Sequence, residues 1–182
     1  MNPEITYYEN GNIKSENWYK NGKYHRENGP AHIYYENGNI KSENWYKEGK
    51  RHRLDGPAYI FYYKNGNIQS EWWYKDDKAH RENGPSYIWY YENGNIRSEH
   101  FYKDGKRHRL DGRPAIIWYY DNGNIQSEGW YKEGKRHREN GPAVIHYYDN
   151  GNIISEGWYI NGKELSYKEW LIRSRKRKLQ SI

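Results

Sequence analysis

One unit of 27 to 29 residues is written almost six times along this chain, and no other feature narrows the fold as far. Aligned on the tripeptide Asn-Gly-Asn, the copies place their central glycines at Gly11, Gly38, Gly66, Gly94, Gly123 and Gly151, with successive gaps of 27, 28, 28, 29 and 28 residues. A fixed period in this range marks a repeat array, in which each unit packs mainly on its neighbours. Such an array dictates architecture far more tightly than it dictates function.

The second copy, Ala31 to Pro57, reads as hairpins. Ile33, Tyr34 and Tyr35 are strand formers. Asn37-Gly38 is a strong hairpin signal, because both central residues of a type I′ turn need positive φ. A second strand follows from Ile40 to Lys47, then a turn at Glu48-Gly49, and the connector Lys50 to Pro57 leads into the next copy. Its Asp-Gly-Pro cannot continue a strand. Strand alternation places Tyr35 opposite Ile40 and Ile33 opposite Ser42, on one face with Tyr46. The other face takes Tyr34, Lys41, Glu43 and Trp45. Pairing of Lys47 with Lys50 sets Trp45 across from His52, so that Glu43, Trp45 and His52 cluster. Both faces carry aromatics, and the connector is expected to fold over part of one of them.

Within the chain, the Ser-Glu pair recurs from Ser15-Glu16 to Ser155-Glu156, and the aromatic that follows is Trp18, Trp45, Trp73, Phe101, Trp130 and Trp158. The residue between them varies: Asn17, Asn44, Trp72, His100, Gly129 and Gly157. A varying position between fixed ones is read as solvent or ligand contact, or as drift among copies; Asn44, Trp72 and His100 are the candidate interaction residues. Two length changes stand out. Ala31 to Gly38 spans seven steps where Ala58 to Gly66 spans eight, and Arg113 is inserted between Gly112 and Pro114. An extra residue flips side-chain parity, so bulges or looser turns are expected at both.

Charged residues make up 30% of the chain, which alone could suggest disorder, but 22 Tyr, 9 Trp and 2 Phe argue against it. The core must therefore be built from aromatics, Ile and Pro. There is no cysteine, hence no disulfide and no thiolate metal site. The first residues carry no signal-peptide pattern, and no apolar run reaches the roughly 20 residues of a membrane helix. A cytoplasmic setting is expected. Of the net charge of +6, Arg173, Arg175, Lys176, Arg177 and Lys178 supply five; the rest holds 25 basic against 24 acidic residues. The array itself is nearly neutral, which does not suit a whole-surface nucleic-acid binder.

The last copy abandons the pattern after Asn161-Gly162-Lys163, dividing the chain into an array over 1–163 and a C-terminal segment over 164–182. Ser166-Tyr167-Lys168-Glu169 reads as a capping box. It predicts a helix from about Tyr167 to Leu179, whose Tyr167, Trp170 and Leu171 form an apolar patch covering the last sheet edge. The first edge has only Pro3 for protection and is open to pairing with another chain.

His-Arg dipeptides recur at His25, His52, His80, His108 and His137. Two strands per repeat set equivalent histidines roughly 10 Å apart, whereas zinc holds its ligands at about 2 Å. No metal site is expected. A Ser42, His52 and Glu43 triad is rejected too, because catalysis needs one asymmetric pocket and these residues recur as structural pairs would. A Glu–His or Glu–Arg contact fixing each connector is the plainer reading. The aromatic rows serve as the core, or as cages for cations and stacked rings. The run Arg173 to Lys178 is a solvated helix end or a patch for anionic lipid or nucleic acid.

The recurring Tyr-Tyr-x-Asn-Gly-Asn-Ile-x-Ser-Glu-x-Trp-Tyr-x-x-Gly-Lys-x-His-Arg-x-x-Gly-Pro-Ala resembles MORN-type repeats (membrane occupation and recognition nexus). It is most similar to the longer variant of bacteria, phages and giant DNA viruses, sometimes labelled antitoxin-like, across residues 5 to 163. The resemblance implies an elongated hairpin array for protein or membrane contact, without catalytic residues. The Asn, Ile, Lys and Tyr bias fits an AT-rich genome such as that of a giant virus. The expectation is an all-β array of about six antiparallel hairpins, as a single twisted sheet or an open solenoid, with a C-terminal capping helix. It would act as a non-enzymatic scaffold for a protein partner, a second copy of itself included, without cofactor or small-molecule substrate. The alternative is binding of anionic membrane or nucleic acid through the basic segment.

Overall fold

In a computed structural model the chain forms one open antiparallel sheet of thirteen strands whose spatial order follows the sequence. The structure describes residues 2–109 and 111–180, with the backbone alone for 176–180. The sheet strands are β1 (Glu4–Tyr7), β2 (Ile13–Asn17), β3 (His32–Glu36), β4 (Asn39–Asn44), β5 (Tyr59–Tyr62), β6 (Ile68–Trp72), β7 (Tyr87–Tyr90), β8 (Ile96–His100), β9 (Ile116–Tyr119), β10 (Ile125–Gly129), β11 (Val144–Tyr147), β12 (Ile153–Ile160) and β13 (Lys163–Leu165). β1 does not pair with β13, so the sheet is an open strip. Each of the first five copies adds a short second hairpin beyond its Trp or Phe, as in Tyr46–Lys47 with Lys50–Arg51.

Turn chemistry explains the length changes. In the second copy Asn37 and Gly38 both hold positive φ and close a two-residue turn between Glu36 and Asn39. In the other copies the extra residue enlarges the turn. Tyr63, for example, donates its N–H to Asn67 O and accepts from Gly66 N, while only Gly66 turns left-handed. The looser turn expected from the count is therefore what absorbs the residue. The insertion at Arg113 is taken up likewise: Asp111 accepts from both the Arg113 N–H and its guanidinium.

The faces differ from the alternation read in sequence. Tyr35 does lie opposite Ile40, but a bulge at Lys41 shifts the register, so Ile33 faces Glu43 and Ser42 faces Tyr34. Every sheet hairpin from β1–β2 to β11–β12 carries the same irregularity. Ile33 and Tyr35 therefore share a face with Glu43 and Trp45, while Tyr34 joins Ser42 and Asn44 on the other.

On the first face, Ile and Glu alternate strand by strand: Glu16, Ile33, Glu43, Ile60, Glu71, Ile88, Glu99, Ile117, Glu128, Ile145. A tyrosine hydroxyl of the next copy donates to each glutamate: Tyr35 to Glu16, Tyr62 to Glu43, Tyr90 to Glu71, Tyr119 to Glu99 and Tyr147 to Glu128, at 2.6–3.0 Å. Burial and the adjacent carboxylate raise these phenols, Tyr35 up to about 12, so the donor stays protonated. Repeat is thus tied to repeat by side chains as well as by the ladder.

Ala31, Ala58, Ala115 and Ala143 are fully buried where each connector enters its strand, and Ser86 fills the same slot in the fourth copy. The Ser86 hydroxyl donates to Tyr102 O, so its polar atom is satisfied there. Larger side chains would displace the packed Trp beside the slot, which is why the connector ends Pro-Ala.

The final helix, α1 (Tyr167–Gln180), begins at the expected capping box: Ser166 N–H donates to Glu169 Oε2, and Glu169 N–H to Ser166 Oγ. Tyr167 and Trp170 pack at a tilt against Trp158, 5.0 and 4.4 Å between ring centres. The helix takes the place of a connector over the last Trp and caps β13. The expected cover of the whole final edge is only partial, since Ile153 and Ile154 on β12 remain about half exposed. Among the described residues no helix is long and apolar enough to cross a membrane.

Candidate functional site

The connectors are built as clamps. Arg26, Arg53, Arg81, Arg109 and Arg138 lie flat over Trp18, Trp45, Trp73, Phe101 and Trp130, with guanidinium carbons 3.6–4.2 Å from the ring centres. Each also donates to the carbonyl of the connector proline, from Arg26 to Pro30 at 3.2 Å through Arg138 to Pro142 at 3.1 Å. The histidine beside each arginine holds the neighbouring copy. Nδ1 of His25, His80, His108 and His137 accepts the turn N–H of Glu48, Asp104, Glu133 and Asn161, and His52 Nδ1 meets Asp76 at 2.9 Å. A Glu–His contact stands at some connectors, His108 Nδ1 lying 3.3 Å from Glu133 and His137 Nε2 3.4 Å from Glu139, but it does not use the strand glutamate. The strand glutamate takes a tyrosine, and the histidine takes the next turn. Among the described residues no three His, Asp or Glu side chains converge as metal ligands would.

One of those turns departs from glycine. Asp77 holds a φ of 62° where the other copies have Gly, and its carboxylate accepts from the Arg51 N–H and guanidinium at 3.0 Å. Burial would raise this carboxyl, but the bonds from Arg51 outweigh it and hold it below its ordinary value.

On the second face small and large side chains alternate: Ser15, Tyr34, Ser42, Phe61, Ser70, Trp89, Ser98, Trp118, Ser127, His146. The serines at 42, 70 and 98 are buried between half-buried rings. The variable position forms the adjacent row, Asn17, His32, Asn44, Tyr59, Trp72, Tyr87, His100, Ile116, Gly129 and Val144. The tyrosine two residues on leans against it. A Cβ on Gly157 would meet the Tyr159 ring at 2.9 Å, and one on Gly129 the Tyr131 ring at 3.1 Å.

Of the readings open for the variable position, solvent contact does not hold at Asn44 and His100. Asn44 and His100 are buried, 6% and 7% exposed, and Trp72 is half buried. They vary because each must fill a differently shaped gap beneath the tyrosine row. Trp72 does belong to an aromatic patch: its ring lies 5.1–6.1 Å from Tyr59, Phe61, Tyr87 and Trp89, all half buried. His100 continues it, 4.6 Å from Trp89 and 5.5 Å from Trp118. Burial and the nearby Arg107 push His100 down to about 4, and neither of its ring nitrogens has a hydrogen-bond partner. The patch spans the third to fifth copies and fades toward both ends, where Asn17, His32 and Asn44 or Gly129, His146 and Gly157 stand instead. Sequence parity missed this concentration because the bulge hid which aromatics share a face.

The basic segment lies on α1. Arg173 and Arg175 are exposed; the side chains of Lys176, Arg177 and Lys178 lie outside the described residues.

No curated protein matches the chain. The sequence profile of the MORN repeat variant matches residues 3–21, 27–48, 58–76, 86–104, 116–133 and 143–161, together more than half of the chain. Repeats of this kind are non-catalytic scaffold units that contact proteins or membranes. The chain belongs to the MORN repeat variant family.

Proposed function

We propose that this protein is a non-enzymatic scaffold that holds a protein partner on the aromatic patch of its central repeats. The observation that carries the reading is the cluster of half-buried Phe61, Trp72, Trp89 and Trp118 on one sheet face, where the end copies place smaller or polar residues such as Asn17, His32, Gly129 and His146. Aromatic side chains give large contact area at small entropic cost and are enriched at interfaces. A contiguous apolar patch rimmed by polar groups marks an interaction surface rather than ordinary exposure. The connectors support the non-enzymatic side: their histidines are spent on turn N–H groups and their arginines on rings and carbonyls.

The test is replacement of Trp89 and Trp118 by serine, followed by affinity capture beside the wild-type chain. The variant is expected to lose the partners captured by wild type while keeping its far-UV circular dichroism. Undiminished capture by a folded variant would overturn the reading.

A second reading rests on Arg173 and Arg175, exposed toward the C-terminal half of α1. A cationic helix end attracts anionic lipid or nucleic acid. Removal of residues 173–182 should then abolish sedimentation with phosphatidylserine vesicles or retention on DNA. Binding that persists without them would exclude this route.

A further inference from the structure

Junctions between copies use one recurring set of contacts. At the junction of β10 and β11, Glu128 lies opposite Ile145. Tyr147 donates to Glu128 at 2.7 Å, Tyr120 donates to Tyr147 O at 2.8 Å, and Asn124 donates through Nδ2 to Asp149 O at 2.8 Å. The tyrosine-to-carbonyl bond recurs from Tyr8, Tyr63 and Tyr91, and the asparagine bond from Asn67 and Asn95.

The two ends of the strip hold complementary halves of this set. The last hairpin presents Glu156, Tyr148 and Asn152, the positions of Glu128, Tyr120 and Asn124. The first strand presents Ile5 and Tyr7, the positions of Ile145 and Tyr147. Tyr7 and Tyr148 are 58% and 55% exposed, and Glu156 is exposed as well. Among the described residues none of these three side chains has a hydrogen-bond partner, whereas the interior equivalents are satisfied.

At its bulge position the last edge lacks the polar side chain that every other hairpin carries. Lys14, Lys41, Gln69, Arg97 and Gln126 occupy the bulge position in the other hairpins, but the last hairpin has Ile154, 49% exposed. Charged residues, lysine above all, are how sheets blunt an edge. Pro3, expected to guard the first edge, does not: its equivalent Ala143 sends its N–H inward, to Gly157 O of its own hairpin. The missing donor therefore faces away from the open side.

We propose that copies of this chain join head to tail, with β1 of one pairing antiparallel with β12 of the next in the interior register, Ile5 opposite Glu156 and Thr6 opposite Ser155. Tyr7 then donates to Glu156, and Tyr148 to the Tyr7 carbonyl, so the joint repeats an internal junction. Such a contact is heterologous and leaves a free edge at each end, so it propagates into a filament. The inference deepens the scaffold reading by naming a second copy as partner. It rests on the strip's two edges and not on the aromatic patch, so the two fail separately.

Sedimentation velocity of the full chain across a wide concentration range tests it, with two double variants at exposed positions. One is Ile5→Lys with Tyr7→Lys; the other is Ile154→Lys with Glu156→Lys. Wild type is expected to grow past dimer as concentration rises. Each variant alone should stay monomeric, and an equimolar mixture, which contains one intact joint, should form dimers and stop. The Trp89 and Trp118 serine variant should still assemble. A monomeric wild type at every concentration overturns the proposal, as does either variant assembling alone.

Discussion

Tyr90 of one copy donates its hydroxyl hydrogen to Glu71 of the copy before it at 2.7 Å, across the boundary that separates them in sequence. The same bond stands at all five internal boundaries. In a repeat array stability is a sum of unit and interface terms, and this bond is a polar part of each interface. Tyr90→Phe leaves a half-buried carboxylate without its donor and should cost about 1–2 kcal/mol. A double-mutant cycle with Glu71→Gln, read by urea denaturation, should return a coupling of about 1 kcal/mol. Simple additivity would show that the bond does not link the copies.

These phenols also predict the alkaline limb of stability. Tyr35 is raised to about 12, and Tyr62, Tyr90, Tyr119 and Tyr147 are raised further, by burial and then by their glutamates. A group with a raised folded value contributes stability that is whole below its unfolded value near 10. That contribution falls as pH climbs toward the folded value, because the unfolded chain loses its protons first. The urea midpoint should therefore hold steady up to about pH 10 and then drop steeply toward 12. Tyr90→Phe should flatten the drop, and an unchanged slope in that variant would refute the assignment.

Much of the array was legible because its signals are local. Asn37-Gly38 announces its turn, and Ser166 with Glu169 announces the helix start. What escaped needs information that no single copy contains. The bulge at Lys41 inverts the face of every residue on one side of the hairpin, so counting from Tyr35 and Ile40 placed Ile33 opposite the wrong partner. The Tyr–Glu bond then stayed hidden, because it joins residues about nineteen apart whose register is set between copies. Variation at Asn44 and His100 suggests solvent or ligand contact, or drift, but variation among copies also follows a changing gap. Gly157 beneath Tyr159 shows the smallest filling of that gap and Trp72 the largest.

The connector arginines give a third expectation. Arg138 covers Trp130 at 3.6 Å and also reaches the Pro142 carbonyl. Lysine keeps the charge but loses the flat ring contact and the directed N–H fork. Arg138→Lys should destabilise by roughly 1 kcal/mol and Arg138→Ala by about 2 kcal/mol. Both should raise hydrogen exchange at the fifth connector more than at the first, since coupling along an array is between neighbours. Equal exchange at all connectors would mean that the clamp is not local.

His100 supplies the acid limb. It is buried between Trp89 and Trp118, and burial, with Arg107 nearby, lowers it to about 4 from an ordinary 6.5. The unfolded chain therefore takes up a proton that the folded chain refuses between those values. Stability contributed by neutral His100 is whole above about pH 6.5 and falls as pH drops toward 4, by at most about 3 kcal/mol. Asparagine occupies the same position in the first two copies, at Asn17 and Asn44, and is a natural replacement. His100→Asn should keep the fold near neutral pH and remove that share of the acid-side slope in urea midpoints between pH 4 and 7. If the slope is unchanged, protonation of this ring does not govern the acid limb.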